Sequence, residues 1–465
     1  MDDTSTQANG VIPSSAVESP KYELSFEGCI DQLISDITAI EMTLLGAMRM
    51  SLAHMNQKHE EVTEYLGQNG SIVEEDSDSE TYSLDSINVH VLREKVEQHE
   101  VAMAAPVILS NAMFASLVFR WDAFFANLLR LIYRCSPSII NASSRSLTFA
   151  EVVAFGSIDE AGKAIVEAEI EELMRGSHAK QFDKLNAYLG KVEGSKSIKE
   201  IDEWKPFIEL TERRNVIVHA DGIISKQYLD VCREHKIALG KNIKMGGNLR
   251  IPFSYMKSAC DTLTKLGVIL GHYLWQKFDK NSVKDRESHH IQVSYRLIKE
   301  KRYAIAIRLI EDFLSDKRNL LNEFTRKAAY INLAQAQKWM NDIAGMERTL
   351  TREDLSYSRD NILLAVHVLR DEFSQASALM EKIGPKGDIE QADYDEWPLF
   401  EQFRESEYFK NAYNKLFGDA PLIENVKIST PAIGVLEDQA AGEDSEESED
   451  GAMGVSSDDV SPSQS

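Results

Sequence analysis

Apolar residues in this chain recur mainly at steps of three and four, the spacing of one helical face. From Leu24 to about Met55 the set Ile30, Leu33, Ile34, Ile37 and Ile40 predicts an N-terminal helix over 23–56. The pattern fails across 57–85, where Gly-Ser, Ser-Asp and Ser-Glu steps predict an acidic linker. It returns at Ser86. Phe114, Leu117, Val118, Trp121, Phe124, Phe125, Leu128 and Ile132 mark one face of a long helix that ends at a Cys135-Ser136-Pro137 turn. Ser157 with Glu160 three residues on opens a helix over about 158–175, and a shorter one follows near 178–190. These segments form one predicted helical body, 86–278.

A second body is predicted over 288–418. Tyr303, Ala306 and Leu309 lie in one short helix, Ile343, Met346 and Leu350 in another, and Phe373, Ala376, Leu379 and Ile383 in a third. Tyr303, Ile343 and Phe373 are 40 and 30 residues apart, averaging 35. That spacing resembles the tetratricopeptide period of stacked helix pairs. The Trp-Leu-Gly-Tyr pattern of that family is absent, so the resemblance is one of architecture. An ordinary helical bundle is the other reading.

Composition agrees with helices. Only 11 prolines and 24 glycines are spread over 465 residues, and 43% of the chain is hydrophobic. The net charge of -24 is concentrated in two places. Ten acids lie between Glu437 and Asp459 and eight between His59 and Glu80, with no Lys or Arg in either stretch, which leaves -24 + 18 = -6 for the remainder. Residues 1–22 and the acidic tail 424–465 are expected to be disordered. A body this acidic disfavours broad, sequence-independent nucleic-acid binding while permitting a local basic site. Cys29, Cys135, Cys232 and Cys260 form no CxxC pair, which points to reduced thiols and no zinc framework. The opening MDDTSTQANG is acidic where a secretory signal would be basic and then apolar, so a cytoplasmic protein is expected. Val101–Phe119 carries no charge and approaches membrane-spanning length, but it includes Pro106, Ser110, Asn111 and Ser116 and runs into Arg120 and Asp122. It reads as a core helix, with no membrane partner.

One segment carries chemistry: Glu209-Leu-Thr-Glu-Arg-Arg214-Asn215-Val-Ile-Val-His219-Ala-Asp221-Gly222. The spacing alone is cheap, because Arg49–His54 and Arg93–His99 match it or its longer variant. Three features set Arg214–His219 apart. Asn215 follows the arginine. Val216, Ile217 and Val218 suggest anchoring in a core. Asp221-Gly222 supplies a helix stop, with glycine in the left-handed position. On a helix, Asn215 and His219 share a face, whereas Arg214 lies roughly 140° around from His219. Locally, a structural histidine at a helix end beside two surface arginines would look the same.

This segment resembles the signature of the HEPN superfamily of helical domains, found in prokaryotic defence and toxin systems and in some RNA-processing nucleases. The resemblance covers about 86–278. It implies a HEPN-like bundle and a metal-independent endoribonuclease leaving a 2′,3′-cyclic phosphate. Arg214 would stabilise the transition state, His219 would act as general acid or base, and Asn215 would orient the histidine or the phosphate. It also implies RNA as partner and a homodimer with both Arg/His sets in one cleft. No cofactor and no metal are called for. The alternative is a non-catalytic RNA-binding or dimerisation module on a helical scaffold, the repeats serving a protein partner. Two weaker features remain. Lys241, Lys244 and Arg250, among Gly240, Gly246 and Gly247, form a basic loop without phosphate-loop spacing. The pair His289-His290 beside Glu287 hints at a metal but reads as part of a solvated linker, because adjacent side chains on a helix point apart.

Overall fold

The computed structural model describes residues 24–76, 79–142, 147–189, 198–316, 321–352 and 358–418, with Asn319 and Leu355 between them. The expected disordered segments 1–22 and 424–465 lie outside the described residues. Within them the chain is all-α, with seventeen helices and one two-stranded hairpin.

Helix α1 (Phe26–Asn69) starts at Ser25, whose side chain accepts the Gly28 N–H at 2.9 Å. It runs 44 residues, about 66 Å at the helical rise. A hairpin of β1 (Ser71–Asp76) and β2 (Ser79–Ser83) turns the chain into the 50-residue α2 (Ser86–Cys135), capped by Asp85. The linker expected over 57–85 is therefore helix as far as Asn69 and then hairpin. Glutamate is a good helix former, and here the acids find partners: Gln57 and Lys58 both bond Glu61. The segment also lies along α2, where Tyr65 donates to Asn88 at 2.7 Å and His59 stands against His99 at 5.3 Å. Buried positions of α1 stop at Leu44, and those of α2 begin at Ala102. The far halves of the two helices thus form an arm beyond the core.

The near halves enter a bundle. Successive helices are α3 (Phe149–Ala154), α4 (Ile158–Met174), α5 (His178–Leu189), α6 (Trp204–Ala220), α7 (Lys226–Glu234) and α8 (Phe253–Phe278). Ser157 caps α4 through the Glu160 N–H at 3.1 Å, as its sequence predicted. Trp121, Phe182 and Phe207 pack ring on ring at the centre of the bundle. α8 crosses α1 closely at Gly267 and Gly271. A Cβ at either position would run into Leu33 or Ile30, so the glycines allow the approach.

The chain continues as helical hairpins: α9 (Val283–Lys299) with α10 (Tyr303–Ser315), α11 (Glu323–Trp339) with α12 (Ile343–Arg352), and α13 (Asp360–Leu369) with α14 (Phe373–Ile383). Short α15 (Gln391–Glu396), α16 (Glu401–Glu405) and α17 (Glu407–Phe417) follow. Each hairpin turns on one left-handed residue, Lys301, Asn341 or Asp371. The same bond closes each turn: Arg302 N–H to Leu297 C=O at 2.8 Å, Asp342 to Gln337 at 2.9 Å and Glu372 to His367 at 2.9 Å. The 40- and 30-residue spacing seen in the sequence is that of these turns. The core is nonetheless continuous across the 278/288 boundary, since Leu274, Leu297, Ile310 and Ala336 belong to the bundle core. A second core, including Ile331, Leu364, Met380 and Phe403, serves the later hairpins.

One helix among the described residues, α2, is long and apolar enough to cross a membrane; 33% of its most apolar window is buried.

Candidate functional site

Helix α6 presents the motif. Its inner face buries Phe207, Ile208, Leu210, Val216 and Ile217, which fixes the rotation of the helix in the bundle. Val218 departs from the expected core anchoring: it is 50% exposed, because the next position around the helix faces solvent. His219 is exposed beside it in the last turn, and no side-chain hydrogen bond or ion pair to it is found among the described residues.

The helix stop also differs in detail. Asp221 takes the left-handed conformation at φ 47°, and Gly222 follows at φ 81°. Aspartate tolerates that region because its short side chain bonds locally. With two such residues in succession, the Gly222 N–H reaches back to the Val216 carbonyl at 3.1 Å. The chain then pairs with the basic loop. The Leu249 N–H donates to the Gly222 carbonyl at 2.7 Å, Ile224 donates to Gly247 at 2.9 Å, and Gly246 donates to Ile224 at 2.9 Å. Arg213 Nη1 donates to the Arg250 carbonyl at 2.8 Å. Exposed Lys241, Lys244 and Arg250 are therefore carried on a loop fastened to the helix end that bears His219.

Arg214 goes elsewhere. Its Nη2 donates to Asp122 Oδ2 on α2 at 3.2 Å, and its Nη1 donates to Asn215 Oδ1 at 3.1 Å. The other oxygen of Asp122 meets His178 Nε2 at the start of α5 at 2.8 Å. Glu212, two residues before Arg214, is buried, and that burial raises its carboxyl above the usual range. The Asn215 hydrogen bond and the His178, His235 and Arg214 charges pull the other way. The structure thus brings together Arg214 and Asn215 with Asp122, His178 and Glu212. It does not bring Arg214 to His219, and no bond between them is found among the described residues.

Next to this cluster, Glu209 accepts from Tyr228 at 2.6 Å, Tyr255 at 2.5 Å and Arg213 at 2.9 Å, while the Arg213 guanidinium lies 3.9 Å from the Tyr255 ring centre. Burial first, and the Glu209 charge second, push both phenols up, so they remain donors. Glu209, Arg213 and Tyr255 of this network wall a cleft of about 390 Å³ that Lys205, Leu239 and Thr262 also line.

Sequence reading missed Asp122, His178 and the Glu209 network. The one signal was that Asp122 is an acid set among the apolar positions Trp121, Phe124 and Phe125. The competing matches fall on the arm: Arg49 and His54 on α1, Arg93 and His99 on α2, away from any buried polar cluster.

No protein-family model matches the chain, and neither does any curated protein or solved structure.

Proposed function

We propose that this chain is a HEPN-type, metal-independent endoribonuclease of the cytoplasm, acting in prokaryotic defence or stress response as a homodimer. One observation carries the reading. An exposed, unengaged histidine stands at the end of α6, and the loop hydrogen-bonded to that end presents Lys241, Lys244 and Arg250 to solvent without carboxylate partners among the described residues. Such a surface suits an RNA backbone. The 2′-hydroxyl would attack its own phosphate, with His219 moving the proton. Arg214 would stabilise the charge of the phosphorane, and Asn215 would hold the histidine or the phosphate.

The divergence of Arg214 from His219 on one helix argues for a second copy, whose motif would complete the cleft. A surface for that copy is available on α2, where Val101, Met103, Val107, Ile108 and Phe119 stand in solvent. The hairpins after α8, similar in period to tetratricopeptide repeats, would recognise a partner or the RNA.

A second reading, a non-catalytic RNA-binding or dimerisation module, is favoured by the ion pair that already occupies Arg214. The test is incubation of the purified chain with total RNA in EDTA, with end-group analysis and sedimentation of the full chain. Cleavage leaving 2′,3′-cyclic phosphate ends by a dimer is expected. Cleavage that needs an added divalent ion overturns the mechanism, and RNA binding without cleavage selects the second reading.

A further inference from the structure

His289 and His290 do not lie in a solvated linker. They are on α9, packed against α8 and the start of α1, and His289 is only 1% exposed. His290 stacks on His272 of α8 and on Phe313. The reason is register. α9 follows α8 directly and lays one apolar-facing side on it, which turns the pair inward.

His272 Nε2 and His289 Nδ1 are 2.9 Å apart, so one nitrogen carries the hydrogen and the other accepts. His272 is buried, and its Nδ1 has no hydrogen-bond partner among the described residues. With His289 Nδ1–H as the donor to His272, His289 Nε2 is left with a lone pair, and it faces Asp31 Oδ1 at 3.3 Å.

The surroundings fit a cation. Glu27 and Asp31 are four apart on α1 and share a face. One ligating atom from each of Glu27, Asp31 and His289 lies within 4.8 Å of the others. Ligands about 2.0–2.1 Å from a tetrahedral ion stand about 3.3–3.4 Å apart, which matches the His289–Asp31 separation. The two carboxylates match a divalent charge. Asp31 is 33% exposed, which gives an ion an entry path and leaves a position for water.

We propose that Glu27, Asp31 and His289 form a divalent transition-metal site of the zinc class that staples α1 to α9. His272 is its positioning residue, fixing the His289 tautomer as outer partners of metal-bound histidines do. The site lies apart from His219 and is no part of the cleavage chemistry.

The test uses the full chain, stripped with EDTA and dialysed, then titrated with Zn²⁺ by calorimetry and followed by thermal unfolding. One equivalent per chain and an upward shift of Tm are expected. Asp31→Asn and Glu27→Gln should each weaken uptake at least about tenfold while leaving the metal-free melting curve in place. His272→Gln should weaken it by about 10–100-fold. Absence of saturable one-to-one uptake overturns the proposal, as does equal uptake by the Asp31→Asn, Glu27→Gln double variant. In either case His289 Nε2–H simply donates to Asp31. Because the readouts are binding and melting, failure here leaves the ribonuclease reading untouched, and the reverse also holds.

Discussion

Helix α6 and helices α9, α11 and α13 all end on left-handed residues, but they are secured in different ways. In the hairpins the turn residue is Lys301, Asn341 or Asp371, and the same backbone bond closes every turn, joined at the third by the Lys338–Asp371 and His367–Glu372 side-chain pairs. The left-handed residue differs from turn to turn, so the backbone bond itself does not depend on one side chain. At α6 the turn is doubled, and the helix is further held by polar side chains from α2, α7 and α8, the α2 carboxylate being bonded in turn to His178 of α5. Backbone closure tolerates sequence change and can be repeated along a chain. Side-chain closure is specific to one place and fails when one partner is lost. The contrast separates a scaffold from a site.

The largest effect expected is on chemistry. His219→Ala should lower RNA cleavage by about 10²–10⁴-fold with Tm unchanged, since the side chain is exposed and has no side-chain partner among the described residues. Arg214→Ala should also abolish cleavage, whereas His54→Ala on the arm should not. Equal sensitivity to His54 would move the site to the arm.

Next is the network itself. Glu209→Ala leaves Arg213 and two phenols without their shared acceptor, so chemical denaturation should show a loss of about 3–5 kcal/mol. A loss under about 1 kcal/mol would mean that α6 is held as loosely as a hairpin turn.

The turns can be compared directly. Gly222→Ala places a Cβ against the Leu249 carbonyl at φ 81° and should cost about 1–3 kcal/mol. Lys301→Gly relieves a left-handed lysine and should stabilise by roughly 0.5 kcal/mol. Matching signs for the two would erase the distinction.

The last expectation concerns pH. Burial raises the Glu212 carboxyl, so its contribution to stability is present at low pH and is lost as pH rises through the raised value. Glu212→Gln should therefore raise Tm relative to the parent chain at about pH 8 and change it little at about pH 4. A larger gain at the acid end would reverse the assignment.

What the sequence determined by itself is what local physics controls. The apolar stripe of α2, the Ser157 cap and the regular placing of Tyr303, Ile343 and Phe373 all rest on contacts within a few residues, so the all-α class and the hairpin spacing were legible. The motif was legible as a string, together with its helix and its stop at Asp221-Gly222. Tertiary structure decided the rest. The acidic stretch after Gln57 is helix because α2 lies along it. His289 faces inward because α9 returns across α8 and α1. Val218 points to solvent because the packing of Ile217 sets the rotation of α6. Arg214 meets Asp122, 92 residues away, because α2 and α6 share a core. A pairing at that distance leaves no periodic trace in the chain: it follows from how helices stack, and stacking is fixed only when all of their buried faces are satisfied together.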